Sequence, residues 1–441
     1  MSYLNTELNN ESSWKDLLIK IHRRVEIDIN EVNRVIELAR RTPMLSRYED
    51  ELRQLSIFLE YATQYYQQSD PAGLSDLVEF WERYRATVIQ RYTSITPVEL
   101  HAADKVVKDI FGQFLNNIPN ENIAYSKDAA PLVYGGKGGL GAYFTHPPGW
   151  NRPFAIINLP HTAFDNVWQW LALPHETGHD TYATVKGLQE ELETALAERM
   201  KKAVENGELN IPEILIDLTP FDINYQHQYS GAEFIVTIWK NWANEAQADL
   251  MGLLSCGASA IVALQQIIGF GSKDNWRFSR TFSGIEDAPE EHPTSYVRNA
   301  LNIAALKKIS PSHNQIADEI EARFEALRPE VDDIEWYFPE EHVIAKCPVS
   351  EMIKSAEIAA DVILKQTMPS LGNRSYQEMI DFTHLDQSIV NQITDLLVSG
   401  DPTFSQITNA SPRHCLAATV FAFEKNPKKV DLINRTFKHF I

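Results

Sequence analysis

The chain has 441 residues, a formal net charge of −20, 44% apolar residues and 23% charged residues. That balance matches ordinary globular proteins and excludes a disordered or fibrous chain. The acidity argues against a nucleic-acid partner, because phosphate binding draws on clustered Lys and Arg, and the densest basic groupings are the pairs Arg23-Arg24 and Arg40-Arg41.

The length allows two or three domains at roughly 100 to 200 residues each. The three cysteines, Cys256, Cys347 and Cys415, are odd in number and far apart, so neither a disulfide framework nor a cysteine zinc site can be read from them. A reducing, cytoplasmic setting is the expectation. The opening residues Met1-Ser2-Tyr3-Leu4-Asn5 have neither the basic start nor the apolar run of a secretory signal.

In chain order, residues 14 to about 118 carry helical apolar spacing, as in Leu17, Leu18, Ile21, Val25 and Ile29, punctuated by Pro43, Pro71 and Pro97. Near Asn120 the texture changes. Leu132-Val133-Tyr134, Ala142-Tyr143-Phe144 and Phe154-Ala155-Ile156-Ile157 read as short strands, the last bounded by Pro153 and Pro160. Between the first two lies Gly135-Gly136-Lys137-Gly138-Gly139-Leu140-Gly141, which formally contains GxGxxG. A dinucleotide fingerprint would open a helix, whereas strand-like residues follow here, so a hairpin loop beside a cleft is expected instead. Helical texture runs from Phe164 to about 206, from Gly231 to Phe270 and from Thr294 to about 327, with Leu209 to Tyr229 expected as loop, in which Tyr225, His227 and Tyr229 could line a cleft. The uncharged stretch Leu250 to Ser272 is long enough for a membrane span. Ser255, Cys256, Gly257, Gln265 and Gln266 interrupt it, so two buried core helices are expected. Acidic loop material is expected near Pro329 to Glu341, followed by amphipathic helices.

The chemistry centres on His175-Glu176-Thr177-Gly178-His179, an HExxH motif following the apolar run Val167 to Leu173. Residues four apart share a helix face, so both imidazoles can reach one metal, and Glu176 is placed beside the open coordination position as a general base. Pro174 requires the helix to restart or kink there. Two further carboxylates, Glu245 and Asp249, are also four apart in an otherwise apolar helix. Carboxylates in such surroundings are costly unless paired or metal-bound, and a three-ligand catalytic site needs one more donor and a group that orients an imidazole.

The ordered set His175 to His179, Glu245-Ala246-Gln247-Ala248-Asp249 and His292-Pro293-Thr294-Ser295-Tyr296-Val297-Arg298 resembles the gluzincin metallopeptidases, and among them the CaaX prenyl protease and HtpX-like proteases. There HExxH is followed by ExxAD and then by HP with an arginine six positions after the histidine. The resemblance covers roughly residues 150 to 305. It implies Glu245 as third zinc ligand, Asp249 as the partner of a ligand histidine, and His292 and Arg298 as groups near the cleft that could stabilise an oxyanion. It also implies a zincin-like core, with an edge strand near residues 142 to 158 that could pair with extended substrate. Glu291 stands where the family has a small polar residue, and the membrane spans of that family are lacking, so its lipidated and membrane substrates are not carried over.

The resulting expectation is a mostly helical α+β protein: a helical region over 1–120, a zincin-like catalytic domain over 121–310 and a helical region over 311–441. Its function would be that of a zinc peptidase acting on peptide or protein substrates, with one zinc per chain. A catalytically inactive zinc-binding scaffold is the alternative, although retention of Glu176 favours an enzyme. A di-iron bundle would need a second ExxH, and Pro289-Glu290-Glu291-His292 and Pro339-Glu340-Glu341-His342 put proline where the glutamate should be.

Overall fold

A computed structural model describes residues 33–41, 45–66, 71–92, 97–136, 143–148, 154–217, 226–268, 278–280, 292–309, 313–338, 343–401 and 407–441, with the isolated positions 23, 27 and 31. The helical spacing at Leu17 to Ile21, Val25 and Ile29 lies outside them, as do Tyr225, Glu291 and residues 137–142. The described chain is mostly helical with small sheets.

Three helices, α1 (Glu49–Tyr66), α2 (Pro71–Tyr92) and α3 (Pro97–Leu115), lead into strands β1 (Leu132–Gly136), β2 (Phe144–His146) and β3 (Ile156–Pro160). The sheet order is β1-β3-β2, with β1 parallel and β2 antiparallel to β3. Because β1 and β2 flank β3 on opposite sides, the glycine-rich segment does not close a hairpin between them, contrary to the sequence expectation. Strand β3 is buried throughout.

The outer edge of β1 is closed by side chains. Successive outward-facing groups on a strand are two residues apart, and here Val133 and Gly135 carry them. Val133 N–H donates to Asp104 Oδ1 at 3.0 Å while Arg91 Nη2 donates to Val133 O at 2.6 Å. Gln90 completes the edge, accepting from Gly135 N–H and donating to its carbonyl at 2.8 Å each. That leaves β2 as the sheet's other edge.

A 3-10 turn over Val167–Leu171 feeds α4 (Ala172–Thr184), followed by α5 (Leu188–Glu205). Pro174 falls on the third residue of α4, where an N–H would have no partner inside the helix, so the proline starts the helix without breaking it. Strands β4 (Ile214–Asp217) and β5 (Gln226–Tyr229) form an antiparallel pair where a loop was expected; His227 and Tyr229 lie in β5. A capping box of Ser230 and Glu233 then opens α6 (Gly231–Cys256), which is buried over most of its surface. Helix α7 (Ala258–Ile268) follows after Gly257, whose φ of 63° and contact with the Phe382 ring both exclude a side chain. The uncharged stretch is therefore two helices over its described part, and among the described residues no helix is long and apolar enough to cross a membrane.

Strand β6 (Phe278–Arg280), helices α8 (Ser295–Ile309) and α9 (Asn314–Leu327), strands β7 (Asp333–Phe338) and β8 (Val343–Pro348) and helix α10 (Val349–Lys365) follow. The acidic segment expected as loop is largely β7, paired with β6 and β8. Its apolar Ile334 and Trp336 are buried, and the buried Glu335 is matched across the strands by Lys346 at 2.8 Å. Helices α11 (His384–Ser399), α12 (Pro412–Lys425) and α13 (Val430–Phe440) end the chain. They pack behind the turn that feeds α4: Trp168 stacks on Phe423 at 4.2 Å and Trp170 meets Phe437 edge-on at 5.6 Å. One apolar core thus runs from Leu100 to Phe437, while a smaller one joins α1 and α2 to the face of the sheet bearing Leu132, Tyr134 and Ile156.

Candidate metal centre

Helices α4 and α6 cross closely because α4 carries a glycine at the contact. A Cβ on Gly178 would lie 2.8 Å from Ala248 Cα and 3.1 Å from Met251 Cβ. The fourth position of the motif is thus dictated by packing, and the crossing brings the two motifs face to face. Substituting Gly178→Ala is expected to destabilise the protein by about 1–3 kcal/mol despite alanine's better helix propensity, because backbone must move. Urea denaturation tests this, and an unchanged or raised midpoint would refute the close-approach argument.

At the crossing, His175 Nε2 and His179 Nε2 are 3.1 Å apart, and each lies 3.3 Å from an oxygen of the Glu245 carboxylate. These three side chains form a cluster with metal-ligand spacing. Zinc at roughly 2.0–2.1 Å from each donor would set neighbouring donors about 3.3 Å apart in a tetrahedron, so the spacing fits that ion. Glu245 is buried, and its Oε2 makes no hydrogen bond within the protein.

The outer nitrogens of both rings have partners. His175 Nδ1 lies 2.9 Å from Asp249 Oδ1, and His179 Nδ1 lies 2.9 Å from Asn244 Oδ1, which also accepts from Gln247 Nε2. In the neutral ring, a proton on Nδ1 facing that oxygen would leave Nε2 free to bind a metal, the form a ligand needs. The two Nε2 atoms and the carboxylate lie close enough together to hold a cation.

Burial pushes the His175 imidazole down, but Asp249 and Glu245 outweigh it and hold it up at about 10. Burial raises Glu245, and the two imidazoles bring it well below the usual carboxylate range. Asp249 is pushed up by burial and pulled down to about 2, chiefly by Arg298. Glu176 differs: burial dominates and holds its carboxyl above the ordinary value.

Arg298 and His292 occupy distinct places. The Arg298 guanidinium grips Asp249 with two bonds, Nε to Oδ2 at 2.9 Å and Nη2 to Oδ1 at 2.5 Å. Asn302, one turn further along α8, donates to Asp249 Oδ2 at 3.3 Å. Sequence reading missed Asn302, whose signal was its place four residues after Arg298 on the same helix face. His292 is 56% exposed, with Nε2 3.3 Å from Glu245 Oε1, and it stands outside the three-residue cluster. Removing the carboxylate that orients His175, in Asp249→Asn, is expected to weaken zinc binding about 10- to 100-fold, measured by competition with a chromogenic chelator. Wild-type affinity in that variant would remove Asp249 from the site.

A cavity of about 220 Å³ opens onto His175, Glu176 and Glu245. Tyr143, just before the edge strand β2, lines it. The strand itself is tied to the histidine helix by Thr145 Oγ1, which donates to the buried Asp180 Oδ1 at 2.7 Å. Asp180 follows His179 directly, so a strand edge and a histidine of the cluster are held at fixed separation; neither Thr145 nor Asp180 stood out in the sequence.

No family model matches the chain, and neither does any curated protein or solved structure.

Proposed function

We propose that the chain is a zinc-dependent peptidase, with His175, His179 and Glu245 holding the metal and Glu176 as general base. The observation that carries this reading is the convergence of two Nε2 atoms and one carboxylate at tetrahedral spacing, with the cavity and Glu176 beside them. Zinc held there would lower the pKa of a bound water towards about 7 and polarise a substrate carbonyl.

The chain's own residues supply the rest. Burial gives Glu176 the raised proton affinity a base needs to take a proton near neutral pH and pass it to a leaving amine. Arg298 and Asn302 hold Asp249, and Asp249 holds the His175 ring, so these three act on the chemistry through orientation. The exposed His292, beside Glu245 at the rim, would be the group to hydrogen-bond an oxyanion. Strand β2 lies at an edge of the sheet among the described residues, where an extended peptide could add. Three protein ligands leave a coordination position open, which separates this reading from a closed structural zinc site.

An unbiased peptide library incubated with the zinc-loaded protein tests the reading. Cleavage that stops with chelator and returns with added zinc is expected; zinc binding without hydrolysis of any peptide would favour the inactive scaffold instead.

A further inference from the structure

The two histidines of the cluster face unlike partners. His175 faces the Asp249 carboxylate, which when ionised can only accept a hydrogen bond and so asks for one arrangement of the ring. His179 faces the side-chain amide of Asn244, and an amide accepts at its oxygen and donates at its nitrogen. The direction in which that amide points decides what the ring can do. With the oxygen against Nδ1, a neutral ring carries its proton there and keeps Nε2 for an ion. With the NH2 group there, Nδ1 has to accept, the proton sits on Nε2, and the ligand position is blocked.

Two side chains behind Asn244 set its direction. Gln247 Nε2 donates to Asn244 Oδ1 at 3.3 Å, the same oxygen that lies 2.9 Å from His179 Nδ1. Gln247 Oε1 in turn accepts from the Tyr376 hydroxyl at 3.3 Å. Gln247 and Tyr376 are both fully buried, so water does not compete for either group. Among the described residues the Tyr376 hydroxyl has no other acceptor. If the Gln247 amide turned over, the phenolic proton would be left buried without a partner and two amide oxygens would face each other, which costs on the order of one to three kcal/mol in unmade hydrogen bonding. Tyr376 is itself seated firmly. Its ring packs on Phe114 of α3 at 5.3 Å, and it opens the short helical turn Tyr376–Met379, whose start is fixed by a capping box of Ser375 and Glu378.

We propose that Tyr376 is a positioning residue for the metal centre: through Gln247 and Asn244 it holds the His179 ring in the form that leaves Nε2 free for a cation. Tyr376 lies 129 positions beyond Gln247, in a part of the chain that carries none of the metal-binding motifs. The purpose assigned to it rests on the zinc site of the peptidase reading; the order of donors and acceptors from Tyr376 to His179 does not.

The test has two arms, both on the full chain. Zinc affinity is measured by competition with a chromogenic chelator. The ring form of His179 is read in metal-free protein at mildly alkaline pH by long-range nitrogen–proton NMR on nitrogen-15 histidine, with His179→Asn identifying its signals. Tyr376→Phe removes only the hydroxyl and frees the Gln247 amide to turn. It is expected to weaken zinc binding about three- to tenfold, the worth of roughly one ordinary hydrogen bond, and to add the Nε2-protonated form of His179 to a wild-type spectrum that shows the Nδ1-protonated one. Gln247→Glu keeps the shape but offers only acceptors when ionised, so it draws the Asn244 NH2 group towards itself and towards the ring. Zinc binding should then fall about tenfold or more, with the Nε2-protonated form dominant. If Gln247→Glu fails to fold, Tyr376→Phe decides alone. Wild-type zinc affinity and an unchanged His179 spectrum in Tyr376→Phe overturn the proposal, even if stability drops, because the tyrosine is then a packing residue. Wild-type protein that binds no zinc removes the metal reading beneath, and the NMR comparison still decides whether Tyr376 sets the ring form.

Discussion

Glu176→Gln is expected to lower peptide turnover by about 10²- to 10⁴-fold while zinc content and stability stay near wild type. The substitution preserves shape and volume and removes only the ability to accept a proton. Glu176 is 6% exposed and lies next to His175 at the cavity wall, so water from bulk solvent does not readily replace it. Burial holds its carboxyl above the ordinary value, which brings its proton affinity closer to neutral pH than that of a surface glutamate. Glu176 lies outside the three-residue cluster, so the variant should keep zinc near the parent's level. Turnover of a library-derived peptide and metal content by atomic emission decide the matter. Undiminished turnover with full zinc would remove Glu176 from the reaction, whereas loss of zinc would make it a structural residue.

The largest stability effect is expected far from the metal. Asp104→Ala should destabilise the protein by about 3–5 kcal/mol, measured by urea denaturation. Asp104 and Arg91 face each other with side chains 2% and 0% exposed, joined by bonds of 2.8 and 2.5 Å. The same pair terminates β1 by bonding both backbone groups of Val133. Deleting the carboxylate therefore leaves a buried guanidinium uncompensated and a strand N–H without an acceptor. The double variant Arg91→Met/Asp104→Leu should be milder than the single one, because no charge is then stranded, although Val133 still loses its partners. A single-variant cost below about 1 kcal/mol would mean that water reaches this pair and that it is not what closes the sheet edge.

Why these two residues differ in legibility is a matter of distance along the chain. His175, Glu176 and His179 are readable because a helix converts a spacing of four into a shared face without help from the rest of the protein. Glu245 and Asp249 are readable by the same rule within their own helix, and their apolar surroundings mark them as costly to bury unpaired. Pro174 was ambiguous in sequence and resolves once α4 is seen to begin at Ala172. Of the two loops expected, 209–229 contains a strand pair and 329–341 a strand paired with segments outside it, because cross-strand partners such as Lys346 for Glu335 neutralise residues that look like loop by composition.

Local sequence by itself determined a mostly helical protein, the interruption of the uncharged stretch at Gly257, and two helices each carrying metal-competent side chains on one face, since all of these follow from short-range periodicity and backbone preference. Only the tertiary structure decided that those faces meet. Gly178 lets α4 and α6 close to within reach of one ion, Arg298 and Asn302 arrive from α8 to hold Asp249, and α7 brings its apolar row to the same cavity. The physical reason is that a site built by four separate helices depends on packing between residues far apart in the chain, such as Asp249 and Arg298 at 49 positions, and no spacing rule along a chain encodes which distant surfaces fit together.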